Sequence, residues 1–223
     1  MFTKSLLQAG RQDFKKAMKE SKLKFWDISQ NNLDEIGVEI FLKCLPSTLT
    51  YLDLTACIHS TSPQNLGHHL SSFCSLGGNP SCDLTTINLS ALCISDSSLD
   101  STLSFLSHCG RLSSLSLSHN PITASGLVIL ITFLVEESVP LTSLDCAQLK
   151  SMSQNFWLDK SVLPDLEDRL ESLLTSNCSR LEYLALPDQT DMVMALKKVW
   201  DKAWGSRSRH CKDGLGNIVF SVA

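Results

Sequence analysis

The sequence lacks the features that mark a membrane-spanning or a secreted chain. Its 223 residues contain no apolar run of about 18 residues, the length that a helix needs to cross a bilayer. The start, MFTKSLLQAGRQDFKK, has neither the long apolar core nor the small-residue cleavage site of a secretory signal. We therefore expect an intracellular chain without a membrane span.

Motifs for catalysis, nucleotide binding and metal binding are also missing. There is no P-loop, no G-x-G-x-x-G, no H-E-x-x-H, and no two cysteines stand in C-x-x-C spacing. The adjacent pairs His108–Cys109 and His210–Cys211 do not face each other on a helix or a strand, so neither forms a nucleophile with its base. The sequence predicts a chain that is not an enzyme and uses no cofactor and no metal.

The cysteines indicate buried thiols and not a disulfide framework. There are nine, an odd number. Cys44, Cys109 and Cys178 end predicted helices, whereas Cys57 and Cys146 occupy strand positions that face a core, where cysteine behaves as a small apolar residue. An odd count without a signal peptide predicts a reducing, intracellular compartment.

What the sequence does contain is a leucine motif that recurs. The stretch LSSLSLSHNPI, residues 112–122, has the spacing L-x-x-L-x-L-x-x-N. Its L-x-L step has the period of two that belongs to a strand, and the amide of Asn120 suits a tight turn after that strand. The spacing is the signature of a leucine-rich repeat. Six matches begin at leucines 23, 49, 84, 112, 141 and 181.

The segments between these strands favour helices. DEIGVEIFLKCL, SDSSLDSTLSFLSHCG, ASGLVILITFLVEE and DLEDRLESLLTSNC place apolar residues at helical spacing. A strand, a turn and a returning helix form the right-handed unit that stacks into a solenoid. The predicted fold is an α/β leucine-rich repeat solenoid, a ribonuclease-inhibitor-like horseshoe with a parallel concave sheet and convex helices.

The ends of such an array must be covered, because a terminal repeat exposes one side of its core. We expect three regions: an N-terminal capping helix region over residues 1–22, six repeats over 23–190, and a C-terminal helix and capping strand over 191–223. Within the last region, the helix holds Trp200 and Trp204, and GNIVFSVA is predicted to be the edge strand.

Charge is distributed unevenly along the chain. Residues 1–25 carry seven Lys or Arg against two acids, residues 26–206 carry nine against twenty, and residues 207–223 carry three against one. The acidic middle disfavours a phosphate backbone as the main ligand of the concave sheet. The basic start and tail leave nucleic-acid binding open as an alternative.

The remaining candidate site is the sheet surface itself. In each repeat the leucines point inward, so the third and fifth positions of each motif point outward. We predict a protein-binding surface there, in which Phe25, Asp27, Tyr51 and Asp53 form one patch with aromatic anchors beside charges. Phe156 and Trp157 are expected at its rim. The candidate partner-binding residues are Phe25, Asp27, Tyr51, Asp53, Asn88, Ser116, Asp145 and Tyr183.

These features together resemble the C-terminal leucine-rich region of the tonsoku-like family. The resemblance rests on the unequal repeats, the long connection SSFCSLGGNPSCDL after LTYLDLTAC, and the ending from LEYLALPDQ onward, and it covers nearly the whole chain from about Leu6. It implies a nuclear, chromatin-associated scaffold for homologous-recombination repair at damaged replication forks. The implied partner is the methyl methanesulfonate-sensitivity 22-like protein.

The resemblance has limits that leave a second interpretation open. The tetratricopeptide and ankyrin regions of that family are absent from this chain, so histone binding does not carry over. No interface motif of the family is short enough to transfer residue by residue. The alternative is a ribonuclease-inhibitor-type or immune-receptor-type array that binds another intracellular protein.

Overall fold

A computed structural model describes residues 4–31, 33, 37, 41–42, 44–57, 83–149, 161–176, 180–187, 190–213 and 217–223. Its centre is one sheet in which six short strands run parallel and in sequence order. Each strand begins two residues after the opening leucine of its motif. The strands are β1 Phe25–Asp27, β2 Tyr51–Asp53, β3 Thr86–Asn88, β4 Ser114–Ser116, β5 Ser143–Asp145 and β6 Tyr183–Pro187.

The α-helices whose full bounds lie within the described residues are α1 Lys4–Glu20, α2 Asp96–Leu106, α3 Ala124–Glu136, α4 Leu163–Thr175 and α5 Thr190–Trp204. The alternation of parallel strands with helices confirms the predicted α/β solenoid. None of these helices is both long and apolar enough to cross a membrane. Most of the helix expected after β1, in DEIGVEIFLKCL, lies outside the described residues.

The leucine ladder forms the core, as the motif predicts. The residues at the fourth motif position of repeats two to six are buried, and so are the opening leucines of the same repeats. The fourth-position residues are Leu52, Ile87, Leu115, Leu144 and Leu184. Leu23, which opens the first repeat, is the exception with 37% of its surface exposed. It was expected to point inward, but β1 has a neighbouring repeat strand on only one side, so less of Leu23 is covered.

Asn120 shows how the repeats are joined below the strands. Its side chain is completely buried, and Nδ2 donates to the carbonyls of Leu89 and Leu117, both at 2.8 Å. Its Oδ1 accepts from the backbone N–H groups of Leu92 and Ile94, both at 3.0 Å. The asparagine therefore satisfies backbone groups of two consecutive repeats, which would be costly to bury without partners.

A tight turn follows the strands of the first five repeats. It contains a non-glycine residue in the left-handed region, with φ between 48° and 59°: Gln30, Ala56, Ala91, His119 and Gln148. In the first four of these turns, the N–H of that residue donates to a carbonyl of the next repeat. In the fifth turn the acceptor is different, because Gln148 N–H donates to Oδ1 of Asn217 at 2.9 Å.

Asn217 belongs to a C-terminal hairpin that closes the array. The hairpin consists of β7 Ser208–Lys212 and β8 Asn217–Val222, which pair antiparallel. Strand β8 also pairs antiparallel with β6, so the sheet ends in the order β6, β8, β7. The prediction that GNIVFSVA is the edge strand was therefore wrong, since β7 takes that position.

Burial explains the order of the hairpin strands. Phe220 is fully buried and its ring centroid lies 5.6 Å from that of Trp200 on α5. Ile218 is buried as well, so β8 must lie beside β6, where the leucine core continues. The residues of β7 are almost all exposed and suit the outer position.

Helix α1 contacts the opposite end of the sheet. The ring of Phe14 lies 5.6 Å from Phe41 and 6.5 Å from Trp26, measured between centroids. Trp26, the middle residue of β1, lies in turn 5.3 Å from Phe41. These three rings place apolar surface against the side of the first repeat that has no further repeat strand.

Candidate protein-binding surface

Two rows of side chains cross the sheet on the face opposite the buried leucines, which we call the outer face. The strand register aligns the third motif positions from β1 to β6 in one row and the fifth positions in another. The third-position row is Phe25, Tyr51, Thr86, Ser114, Ser143 and Tyr183. The fifth-position row is Asp27, Asp53, Asn88, Ser116, Asp145 and Ala185.

The structure brings all eight predicted site residues into these rows. Neighbouring parallel strands lie about 4.8 Å apart, so Phe25, Asp27, Tyr51 and Asp53 form one patch. Tyr183 lies four strands further along. Ala185 was expected to be exposed but is 99% buried, with only 1% of its surface accessible. Phe156 and Trp157 lie outside the described residues.

The apolar part of the patch is a stacked aromatic pair. The rings of Phe25 and Tyr51 have centroids 4.0 Å apart and planes inclined by only 9°. Phe25 keeps 59% of its surface exposed, whereas Tyr51 is half-buried. An exposed phenylalanine fixed on a second ring is an apolar contact that loses little side-chain entropy on binding.

The acids of the fifth-position row also stabilise the turns that follow their strands, which the repeat motif did not predict. In Asp27, Asp53 and Asp145, Oδ1 accepts the backbone N–H two residues further on, at distances of 2.8 to 2.9 Å. Asn88 accepts the N–H of Ser90 in the same way at 3.1 Å. These are the local turns for which Asp and Asn are favoured. The recurrence of Asp or Asn at this position was the signal for them.

The second oxygens of these carboxylates join the row into a polar chain. Oδ2 of Asp53 accepts from the Tyr51 hydroxyl and from Asn88 Nδ2, both at 3.2 Å. Oδ2 of Asp145 accepts from the Ser116 hydroxyl at 3.0 Å. Ser90 completes the chain, since its hydroxyl donates to Asn88 Oδ1 at 2.6 Å and lies 2.8 Å from that of Ser116. The outer face is therefore held in place from β2 to β5.

The electrostatics of the face follow from these contacts. Hydrogen bonds from the Ser29 side chain and backbone hold the pKa of Asp27 below its usual value. Burial, and then the charge of Asp53, raise the pKa of Tyr51. Burial, followed by the charge of Asp145, also raises the pKa of Tyr183. At neutral pH both phenols are therefore neutral and the Asp27 carboxylate is ionised.

The C-terminal hairpin extends both rows in a way that the repeat motif did not predict. Tyr183 pairs with Ser221, which pairs with Arg209. Ala185 pairs with Val219, which pairs with Cys211. Arg209 thus stands at the end of the outer face that is opposite to Phe25. The outer face is acidic and aromatic over β1 and β2 and becomes basic at β7.

Most of the described cysteines contribute to packing, since Cys44, Cys57, Cys109 and Cys146 are buried, whereas Cys93 and Cys211 are exposed. The six that the structure describes are free thiols. Burial raises the pKa of Cys57 to about 12 and also raises the pKa of Cys146, so both thiols are protonated at neutral pH. Among the described residues, no group of three or more His, Cys, Asp or Glu could hold a metal ion. Cys178 lies outside the described residues.

A protein-family model described as a leucine rich repeat matches residues 111–130, which include β4 and the start of α3. Together with the register of six parallel strands, this match identifies the chain as a leucine-rich repeat array. Its sequence is 34% identical to a tonsoku-like protein of Danio rerio over 148 residues, which are 66% of this chain. That similarity confirms the predicted resemblance and supports a tonsoku-like leucine-rich repeat region. The chain spans about 10% of the length of that relative.

Two solved structures are partly similar to this chain in their backbone structure. One is the C-terminal domain of tropomodulin from Caenorhabditis elegans, with a TM-score of 0.46 and 10% identity, covering 87% of this chain and 93% of that one. The other is actin-binding site 2 of leiomodin-1, with a TM-score of 0.45 and 10% identity, covering 90% and 91%. The assignment of the fold rests on the strand register and the repeat motif.

Proposed function

We propose that the chain is a protein-interaction scaffold that binds its partner with the outer face. The observation that carries the proposal is the exposed Phe25 ring, stacked on Tyr51 beside the carboxylates of Asp27 and Asp53. Aromatic anchors with little freedom dominate the energetics of protein interfaces, and flanking charges speed up association. The partner that fits offers an apolar or aromatic side chain next to a cationic one.

The eight candidate residues take different parts in this interface. Phe25 and Tyr51 are the anchors, while Asp27, Asp53 and Asp145 provide negative charge. Asn88 and Ser116 connect these carboxylates, and Tyr183 offers a second aromatic contact. The division into a capping region over 1–22, repeats over 23–190 and a closing region over 191–223 remains a prediction.

The similarity to a tonsoku-like protein supports a specific cellular role for this scaffold. We infer a nuclear, chromatin-associated scaffold in homologous-recombination repair of stalled or collapsed replication forks. The partner on this interpretation is the methyl methanesulfonate-sensitivity 22-like protein. The acidic outer face over β1 and β2 supports a protein partner there more than a phosphate backbone, because like charges repel.

The test compares two double variants of the same chain. Phe25→Ala/Tyr51→Ala removes the stacked pair, and Ile129→Ala/Met194→Ala removes two exposed apolar side chains from the helices α3 and α5. Affinity for the purified 22-like protein is measured by titration calorimetry, and folding is checked by circular dichroism. Truncation of one anchor costs about 2 kcal/mol, which corresponds to roughly 30-fold in affinity.

We expect Phe25→Ala/Tyr51→Ala to lose at least roughly 30-fold in affinity. Ile129→Ala/Met194→Ala should bind like the wild type. If the folded Phe25/Tyr51 variant binds normally while the Ile129/Met194 variant does not, the interface lies on the helices. If the wild type itself does not bind the 22-like protein, the partner assignment fails.

A further inference from the structure

The outer edge of strand β7 is a second surface with definite chemistry. Strand β7 is the last strand of the eight-stranded sheet and pairs with β8 on one side. Within the part of the chain that the structure describes, no strand pairs with its other side. We propose that this edge binds an extended, acidic segment of a partner protein, which adds a ninth strand to the sheet.

The hydrogen bonds of the hairpin determine which residues face the open edge. In an antiparallel pair, alternate residues exchange both backbone bonds with the partner strand. The bonds that flank β7 are Ala223 N–H to the Arg207 carbonyl and Asp213 N–H to the Asn217 carbonyl, both at 3.0 Å. Residues 207 and 213 therefore bond to β8, and the alternation assigns the same role to residues 209 and 211, which lie between them at steps of two. The N–H and C=O groups of Ser208 and His210 therefore point away from β8. Those of Ser208 are already bonded within the chain, since its N–H donates to the Gly205 carbonyl and its carbonyl accepts from Arg209 Nη1 at 2.7 Å. His210 is the residue that offers both backbone groups to an added strand.

The strand is accessible along most of its length. Arg209, His210 and Cys211 are exposed and Ser208 is half-buried. The Ser208 hydroxyl donates to Asp201 on α5, which holds the start of the strand against the body of the array. A segment of β-strand that is already fixed and open on one side requires little ordering when another strand is added.

The positive charge of this edge favours an acidic segment as the added strand. Arg207 and Arg209 are exposed, and residues 207–223 carry three Lys or Arg against one acid. The Arg209 guanidinium is held near the start of the strand because Nη1 donates to the Ser206 and Ser208 carbonyls at 2.8 and 2.7 Å. A second copy of β7 would place like charges across from each other, which destabilises a strand pair. An acidic strand makes favourable pairs instead.

Charged edge strands also serve to prevent unwanted pairing. This protective role and the proposed docking role differ in what they permit. A protective edge rejects every added strand, whereas a docking edge accepts an acidic strand and rejects a basic one. The difference can be measured with short peptides of known sequence.

The experiment uses fluorescently labelled peptides that alternate Glu with Val, compared with peptides that alternate Lys with Val. Binding to the full chain is followed by anisotropy, and hydrogen exchange is followed at single amides. We expect the Glu peptide to bind, the Lys peptide not to bind, and the amide of His210 to become protected on binding. The amides of Arg209 and Cys211, which bond to β8, are already protected in the free chain.

Two substitutions separate the edge from the fold. His210→Pro removes an outward N–H and no bond to β8, and proline is accepted on edge strands in that orientation. It should lower affinity for the Glu peptide about tenfold at an unchanged melting temperature, since one backbone bond is lost and a peptide carbonyl is left unpaired. Arg209→Glu should weaken binding as well. Cys211→Pro removes a bond to β8 and should lower the melting temperature.

The proposal is independent of the outer-face interface, so Phe25→Ala/Tyr51→Ala should bind the Glu peptide like the wild type. Failure of the Glu peptide to bind, equal binding of the Lys peptide, or binding without protection of the His210 amide would each overturn the proposal. Self-association that His210→Pro abolishes would do the same, because the occupant would then be a second copy of the chain.

Discussion

The hydroxyl of Tyr51 donates to Oδ2 of Asp53 at 3.2 Å, while the ring of Tyr51 is stacked on Phe25. One side chain thus links the aromatic part of the outer face to its polar part. Because Asp53 also accepts from Asn88 on the next strand, the position of the stack is fixed by contacts that span three strands. An interface built on this pair is organised before the partner arrives.

The two tyrosines of the chain permit a direct test of this environment. The pKa values of Tyr51 and Tyr183 are both raised, with burial as the largest cause, and the chain has no other tyrosine. An ultraviolet absorbance titration of the native chain should therefore show phenol ionisation above the ordinary value of about 10.

The raised pKa values of the two tyrosines also determine how stability changes with pH. A raised pKa in the folded state favours the neutral phenol, so the unfolded chain ionises first as pH rises. The two tyrosines should therefore leave the free energy of unfolding unchanged below a pH of about 10 and should lower it above that pH. Ionisation in the native chain at the same pH as in urea would contradict the contacts of both tyrosines. Tyr51→Phe should remove one of the two ionisations.

Asn120 and Asn31 occupy the same motif position in different repeats and should respond differently to removal. Asn120 is fully buried and makes four hydrogen bonds of 2.8 to 3.0 Å with buried backbone groups. Asn31 is exposed, and its Nδ2 donates to the Ser29 carbonyl at 3.1 Å. Asn120→Ala should lower the free energy of unfolding by about 2 to 4 kcal/mol, and Asn31→Ala by less than about 0.5 kcal/mol.

Urea unfolding followed by circular dichroism measures both values. A small loss for Asn120→Ala would mean that water replaces the amide and that the turn does not depend on it.

This pair of asparagines also shows what the sequence could and could not predict. The motif located the strands, their order and the outward positions, because a period of two within each strand and a recurring motif place the motif leucines on one side of one parallel sheet. It did not distinguish Asn31 from Asn120, because burial depends on what covers each repeat. That cover comes from neighbouring repeats, which a motif of nine residues does not contain.

The candidate site was predictable in its positions but not in its chemistry. The alternation of the motif placed Phe25 beside Tyr51 and Asp27 beside Asp53. The turns capped by Asp27, Asp53 and Asp145 depend on side-chain geometry that spacing does not specify. The strand β7 was missed because SRHCK has no apolar alternation, since four of its five residues are exposed.

Gly126 should be intolerant of even one added methyl group. A Cβ at this position would lie 2.2 Å from Oδ1 of Asp96 and 2.7 Å from Cγ2 of Ile122. The Asp96 carboxylate cannot move away freely, because it accepts the Thr123 N–H at 2.9 Å and bonds the Thr123 hydroxyl.

Gly126→Ala should therefore destabilise the chain by about 1 to 3 kcal/mol, although alanine is ordinarily the better helix residue. Gly110→Ala is the matched control, since nothing lies within 4 Å of its Cβ position. Thermal unfolding of both variants measures the difference. Stabilisation by Gly126→Ala would show that Asp96 and Ile122 can shift.

Phe220 should be the main contributor of β8 to the closing of the array. It is fully buried against Trp200, and its neighbour Ser221 lies on the outer face. Phe220→Ala should cost about 3 to 5 kcal/mol of unfolding free energy, and Ser221→Ala less than about 0.5 kcal/mol. Equal stability of the two variants in urea would show that the hairpin contributes little to the core.

The contribution of charge to partner binding is best tested with Asp53→Asn. Asp53 Oδ1 accepts the Thr55 N–H at 2.8 Å, and an asparagine keeps that acceptor. Its Nδ2 cannot accept the two longer bonds of 3.2 Å from Tyr51 and Asn88, so Tyr51→Phe, which removes one of these bonds and keeps the charge, is the matched control. Asn88 makes the equivalent turn in the next repeat, so the substitution places a residue that this fold already uses there. Asp53→Lys or Asp53→Ala would remove the turn together with the charge and would confuse the two effects.

If the carboxylate attracts a cationic group of the partner, Asp53→Asn should slow association by about threefold at low ionic strength, with a melting temperature close to that of the wild type. The difference should shrink as salt is added, because screening removes the attraction in the wild type. Stopped-flow association at several salt concentrations measures both effects. An unchanged association rate at low salt, in a variant that remains folded, would mean that Asp53 has only a structural role and that the partner's charge lies elsewhere.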